Sequence, residues 1–212
     1  MELVNILNKI YDKLYASFGP QNWWPAESQF EVIIGAILTQ NTSWRNVEKA
    51  INNLKYSGLL TPKKLHDLSH KELACLIRSA GYFNIKSKRL KAFLDYLFDR
   101  YEGNLEELFK ERVEVLRGEL LSVDGIGEET ADSILLYAGR YPVFVVDSYT
   151  RRILSRHHLI PSDASYSEIQ RLFIENLKQD ERLFNEYHAL IVKVGKELCR
   201  NRNPLCNMCP LM

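Results

Sequence analysis

Apolar side chains recur at three- and four-residue spacing along almost the whole chain, the period of an α-helix with one buried face. Leu3, Ile6, Leu7, Ile10, Leu14 and Phe18 form the first such stripe, and Gly19-Pro20 stops it. Ser28 stands where an N-cap is expected, and the run from Phe30 to Leu38 is so nearly continuous that its helix should be central. Thr42 or Ser43 restarts a helix that closes near Gly58. Thr61-Pro62 couples a cap with proline at the first helical position, and Ser69 with Glu72 has the spacing of a capping box. Gly81 ends that helix, and a long amphipathic one is predicted over 84–101, closed by Gly103. Further helices are predicted over 105–109, 113–121, 128–138, 148–157, 166–177 and 181–199. Only 142–146 has strand composition, and one short run cannot make a sheet. The fold class is all-α. No composition shift marks a domain border, so two lobes made from interleaved segments fit the pattern as well as one.

Charge narrows the class. Lys+Arg number 28 against 27 Asp+Glu, a net +1 that excludes a polybasic tail protein and an acidic chaperone-like one. Hydrophobic residues make up 46% and charged residues 26%, ordinary globular values. No apolar run has the length of a membrane span, and the first stripe carries charges among its apolar positions, unlike a secretory signal. A cytoplasmic, monomeric protein is expected. Cys199, Cys206 and Cys209 crowd the C-terminal end while Cys75 stands alone in an apolar helix, where a buried thiol is expected. Clustered thiols in a reducing compartment suit a metal better than a disulfide framework.

Two segments carry candidate chemistry. In Leu121-Ser122-Val123-Asp124-Gly125-Ile126-Gly127-Glu128-Glu129 one helix ends in a glycine turn and another begins at once. Glycine lets the backbone approach a ligand, and the first amides of the second helix can face a phosphate oxygen. Ile126 should point inward and join the two helices. An ordinary helical corner would have the same Gly-x-Gly. Farther on, Asp147 closes the apolar run 142–146 and opens a helix. A carboxylate there either caps amides or is partly desolvated and aimed into a cleft. Arg151, Arg152 and Arg156 follow it, where phosphates could pass, whereas Lys86, Lys88, Arg89 and Lys91 read as a solvated helix face. His188 has no evident role.

Taken together, these segments resemble the helix–hairpin–helix DNA glycosylase superfamily, its endonuclease III branch in particular. The hairpin matches over 121–131, the aspartate segment at Val145-Val146-Asp147, and the resemblance extends from Leu38-Thr39-Gln40-Asn41-Thr42 to the cysteine tail. It implies two helical lobes flanking a DNA cleft. One is a six-helix barrel over 24–138 with its hairpin at about 113–137; the other joins 1–23 to 139–212 and ends in a cysteine loop at 199–212. It implies Asp147 as the catalytic carboxylate, with Gly125, Ile126, Gly127, Gln40, Asn41 and Arg151 on double-stranded DNA. Gln40 matches the residue that fills the hole left by a flipped nucleotide; a helix cap is the plain alternative. Where the branch's lyase members carry a lysine, this chain has Glu129, which cannot form an imine. A monofunctional glycosylase of base excision repair is therefore expected, ahead of a bifunctional enzyme on oxidised pyrimidines or a non-catalytic DNA-binding protein. Trp24-Pro25 and Trp44 look like the alkyl-base pocket of the branch's 3-methyladenine glycosylases, which points to alkylated purines. Cys199, Cys206 and Cys209 match the first three ligands of the branch's 4Fe-4S loop, with no counterpart of the fourth before Met212. A longer natural chain, a non-protein fourth ligand or a decayed site would each account for that, and zinc is the alternative metal.

Overall fold

The computed structural model describes residues 2–212 and is helical throughout, with no strand among them. It divides into two compact units. One joins the chain up to Pro25 to Arg140–Met212; the other is the continuous segment Ala26–Gly139.

The continuous unit contains α2 (Gln29–Leu38), α3 (Trp44–Tyr56), α4 (Pro62–Asp67), α5 (His70–Leu76), α6 (Phe83–Tyr101), α7 (Leu105–Leu108), α8 (Val113–Ser122) and α9 (Glu128–Ser133). α9 runs on as a π-helical turn over Ile134–Ala138. The caps follow the sequence: Ser28 accepts from the Glu31 amide, Thr61 from Lys64, and Ser69 with Glu72 completes the capping box. α2 is buried from Phe30 to Leu38, so it forms the unit's axis. Leu54, Leu94, Leu97, Leu120 and Leu135 are likewise fully buried within this unit. Cys75 is exposed on α5, because the buried stripe there falls on Leu73 and Ala74 instead.

The expected solvated face on α6 is corrected as well. Lys86 is 1% exposed, and its ammonium donates to the carbonyls of Leu38 and Ala80, each at 2.8 Å. It thereby caps the C-terminal end of α2, where a cation complements the helix dipole. Burial and the neighbouring Arg89 charge lower its pKa from 10.5 to about 8. Between those two values the unfolded chain still holds the proton that the folded chain has released, so this residue's contribution to stability rises with pH. Unfolding titrations of Lys86→Met against the parent should show that slope missing from the variant across this window.

The other unit contains α1 (Glu2–Phe18), α10 (Ser148–Arg156), α11 (Tyr166–Asn176) and α12 (Glu181–Glu197). Leu7 and Leu14 of α1 are fully buried, and the Tyr187 hydroxyl of α12 donates to the Leu7 carbonyl at 2.8 Å. Residues 143–146 are buried and lie outside any helix, but pair with no strand among the described residues. Phe144 instead stacks on Phe173 at 3.6 Å between ring centres. Gln170 donates to the Phe144 carbonyl at 2.8 Å, and the Tyr166 hydroxyl accepts from the Val146 amide at 3.3 Å. Side chains of α11 thus do what a neighbouring strand would do. A second capping box, Ser165 with Glu168, fixes the start of α11.

Candidate active site and nucleic-acid interface

Asp147 is the N-cap of α10. Its Oδ1 accepts from the Thr150 amide at 2.7 Å and the Thr150 hydroxyl at 2.9 Å. Oδ2 takes no part in the cap and lies 3.7 Å from His188 Nε2, with the Asp147 side chain 11% exposed. Cap and desolvated acid, alternatives in the sequence, are two oxygens of one carboxylate. His188 is buried, and desolvation holds its pKa below the ordinary value, with Asp147 pulling upward and Lys196 downward. It therefore faces the aspartate as a neutral imidazole near pH 7. Packing fixes the spacing of α10 and α12, because a Cβ added to Gly195 would lie 2.5 Å from the Tyr149 ring. Lys196 also stands in the field of Asp147, and its ammonium lies 5.6 Å from the centre of the Trp23 ring. Trp23 meets Trp24 edge to face at 5.4 Å.

Sequence reasoning missed His188 and Lys196 as neighbours of the acid. The signal was present for one of them: His188 interrupts the apolar stripe of α12 between Phe184 and Ile191.

The arginines after Asp147 are turned toward their own unit. Arg151 Nη1 donates to the Ala164 carbonyl. Arg152 donates to the carbonyls of Gly195 and Cys199 at 2.9 and 2.8 Å. Arg156 donates to Cys199 Sγ at 3.3 Å and to the carbonyls of Arg200 and Asn201. Arg152 and Arg156 thus secure the C-terminal end of α12 and the chain just beyond it, a use of guanidinium that charge counting could not distinguish from phosphate binding. Cys199 is buried, Cys206 exposed and Cys209 intermediate. The three thiols suit a soft metal, but among the described residues no three Cys, His, Asp or Glu side chains form a metal-holding group.

In the continuous unit, α8 and α9 make the hairpin. Gly125 takes φ +82, a conformation that favours glycine, while Gly127 is extended and starts α9. Ile126 is buried, as its position between the glycines predicted. Arg117 forks onto the fully buried Asp132 with contacts of 2.7 and 3.1 Å, bracing the two helices. A Cβ at Gly127 would meet nothing within 4 Å, so the turn is open to close approach. Asp124, Glu128 and Glu129 are exposed here, and Arg117 draws Glu128 back at 3.7 Å.

The turn between α2 and α3 lies against this hairpin. Gln40 Nε2 donates to the Gly125 carbonyl at 3.0 Å and to Thr130 Oγ1 at 2.9 Å, and Gln40 Oε1 accepts from Arg89. Asn41 is exposed at φ +53. Gln40 is thus turned inward and Asn41 outward. Trp44 is half-buried in the same unit, whereas Trp24 and Pro25 belong to the unit that holds Asp147.

An all-helical fold with a glycine-turn hairpin and a desolvated, helix-capping aspartate is the combination that the sequence resemblance implied. Residues 34–179 match the family model of the HhH-GPD superfamily base excision DNA repair proteins. The chain is 50% identical to the putative DNA repair glycosylase MJ1434 of Methanocaldococcus jannaschii, over 97% of this chain and 94% of that one. It is 30% identical to endonuclease III of Sulfolobus acidocaldarius, over 85% and 78%. Its fold matches that of the H. pylori 3-methyladenine DNA glycosylase MagIII, solved with 1,N6-ethenoadenine, with a TM-score of 0.77, 29% identity and coverage of 92% and 96%. The chain belongs to the HhH-GPD superfamily and is a DNA repair glycosylase of its endonuclease III branch. None of its described helices is long and apolar enough to cross a membrane.

Proposed function

We propose that this glycosylase is monofunctional and releases an alkylated purine, such as 3-methyladenine, from double-stranded DNA by hydrolysis. The observation that carries the reading is the Asp147 carboxylate, pinned through one oxygen while the other stands clear of the cap beside a neutral His188. A base alkylated at a ring nitrogen leaves with the electron pair of its bond to C1′ and becomes neutral. Positive charge then grows on the sugar, and Asp147 stabilises it. Water adds its oxygen to C1′, and the proton it loses passes to Asp147. Buried His188, neutral, adds no positive charge of its own beside that carboxylate.

The hairpin turn at Gly125, Ile126 and Gly127 is assigned to a phosphate, reached by amides other than that of Ile126, which donates to the Val123 carbonyl at 3.1 Å, and Asn41 rather than Gln40 is assigned to the space vacated by the flipped nucleotide. Arg151 is assigned a supporting contact through the part of its guanidinium not directed at Ala164. Trp24, Pro25 and Trp44 are assigned to the base pocket, a role supported by the 3-methyladenine activity named for MagIII. The cysteine tail remains the metal-ligating candidate on donor chemistry alone, and no step of hydrolysis passes through it.

Duplexes carrying single 3-methyladenine, 7-methylguanine, ethenoadenine, uracil, mismatched thymine or thymine glycol lesions test the reading. Alkylated purines are expected to be released fastest, leaving intact abasic strands. Borohydride present during turnover should trap no enzyme–DNA adduct, because Glu129 supplies no amine. Preferential release of thymine glycol, or a trapped adduct on a lysine, would overturn it.

A further inference from the structure

The turn between α2 and α3 and the turn of the hairpin lie 85 residues apart in sequence, from Gln40 to Gly125, yet one residue of a third element touches both. Arg89 of α6 lays its stem over Gly125: a Cβ added there would lie 2.3 Å from Arg89 Cγ and 2.7 Å from Cδ and Nε. Its Nη1 then donates to Gln40 Oε1. Gln40 closes the ring through Nε2, which donates to the Gly125 carbonyl and Thr130 Oγ1. Both amide hydrogens and the amide oxygen of Gln40 are engaged, so this side chain is a bridge and not a probe. One turn earlier on α6, Lys86 holds the Leu38 carbonyl at the root of the same turn.

We propose that Arg89 is a positioning residue for base extrusion, latching the turn that presents Asn41 to the turn that presents the hairpin amides. The inference rests on the reading that these two turns meet the duplex. Its physical basis is mechanical. A side chain pushed into a base stack moves the nucleotide only if its own support is fixed to something that holds the DNA backbone. Extrusion costs a few kcal/mol of unpairing and unstacking, least for a base that is already unpaired. A support that yields leaves that cost unmet, whereas hydrolysis of an already extruded base does not draw on it.

The test compares Arg89→Leu with the parent enzyme in single-turnover release of one alkylated purine, placed either in a fully paired duplex or in an unpaired bulge. Leucine keeps an apolar stem near Gly125 and deletes the bond to Gln40. A charge-assisted bond of this kind corresponds to about a tenfold effect. Release from the paired duplex is expected to slow about tenfold, with release from the bulge within about twofold of the parent. Gln40→Leu should produce the same loss in the duplex, and the double variant should be no slower than the slower single, as members of one network behave. Equal slowing on both substrates would reduce Arg89 to a purely structural role and overturn the proposal; so would unchanged rates on both, or losses that multiply. If Arg89→Leu does not fold, Arg89→Lys, which keeps the stem and charge but loses the planar fork, is measured in its place against the same outcomes. A parent enzyme that releases no base from either substrate would instead count against the proposed function, so the two failures are separable.

Discussion

Asp147→Asn is expected to slow base release by about a hundred- to a thousandfold, the scale of removing one preorganised charge from a developing transition state. The substitution separates two duties of one side chain. Asparagine caps helices about as well as aspartate, so its Oδ1 can still accept from the Thr150 amide and hydroxyl and α10 should keep its start. What disappears is the negative charge beside His188. Asp147→Ala, by contrast, should add the loss of a cap, about 1 kcal/mol, visible as a lower unfolding midpoint. Single-turnover release and denaturant titration of both variants check this. Unchanged release by the asparagine variant would leave Asp147 a cap and nothing more.

Arg117→Met is expected to have the largest effect on stability. Asp132 is fully buried, and both its oxygens take the Arg117 fork at 2.7 and 3.1 Å. Removing the guanidinium strands a carboxylate inside the hairpin, a change that costs about 3–5 kcal/mol. A double variant that also carries Asp132→Leu should recover much of the loss, since the buried charge goes with its partner. Chemical unfolding monitored by circular dichroism measures both. A single variant as stable as the parent would mean that water reaches Asp132.

The helices and their caps were readable because they are local: Ser28, Thr61, Ser69 and Glu72 act within four residues of their partners. The hairpin turn and the place of Asp147 at a helix start were readable because glycine at a turn and an acid at a cap leave marks in the chain itself. What escaped was contact between distant segments. Nothing near Lys86 announces that its ammonium ends on Leu38, so a basic cluster on an amphipathic helix reads as solvated. The same applies to Arg152 and Arg156, whose carbonyl partners at Gly195, Cys199, Arg200 and Asn201 lie more than forty residues downstream. Gln40 illustrates the limit within a motif. Its neighbourhood marked a turn, but which of Gln40 and Asn41 faces outward depends on Arg89 and Gly125, far along the chain.

The division of the chain also orders its birth on the ribosome. α1 emerges before the continuous unit, but its partner α12, whose Tyr187 reaches the Leu7 carbonyl, is made after it. The continuous unit 26–139 can fold in the interval, since domains generally fold as units during synthesis. Asp147 leaves the tunnel some forty residues ahead of His188, so the acid acquires its dry wall only once α12 has emerged. A nascent chain would carry an assembled hairpin before Asp147 has His188 beside it.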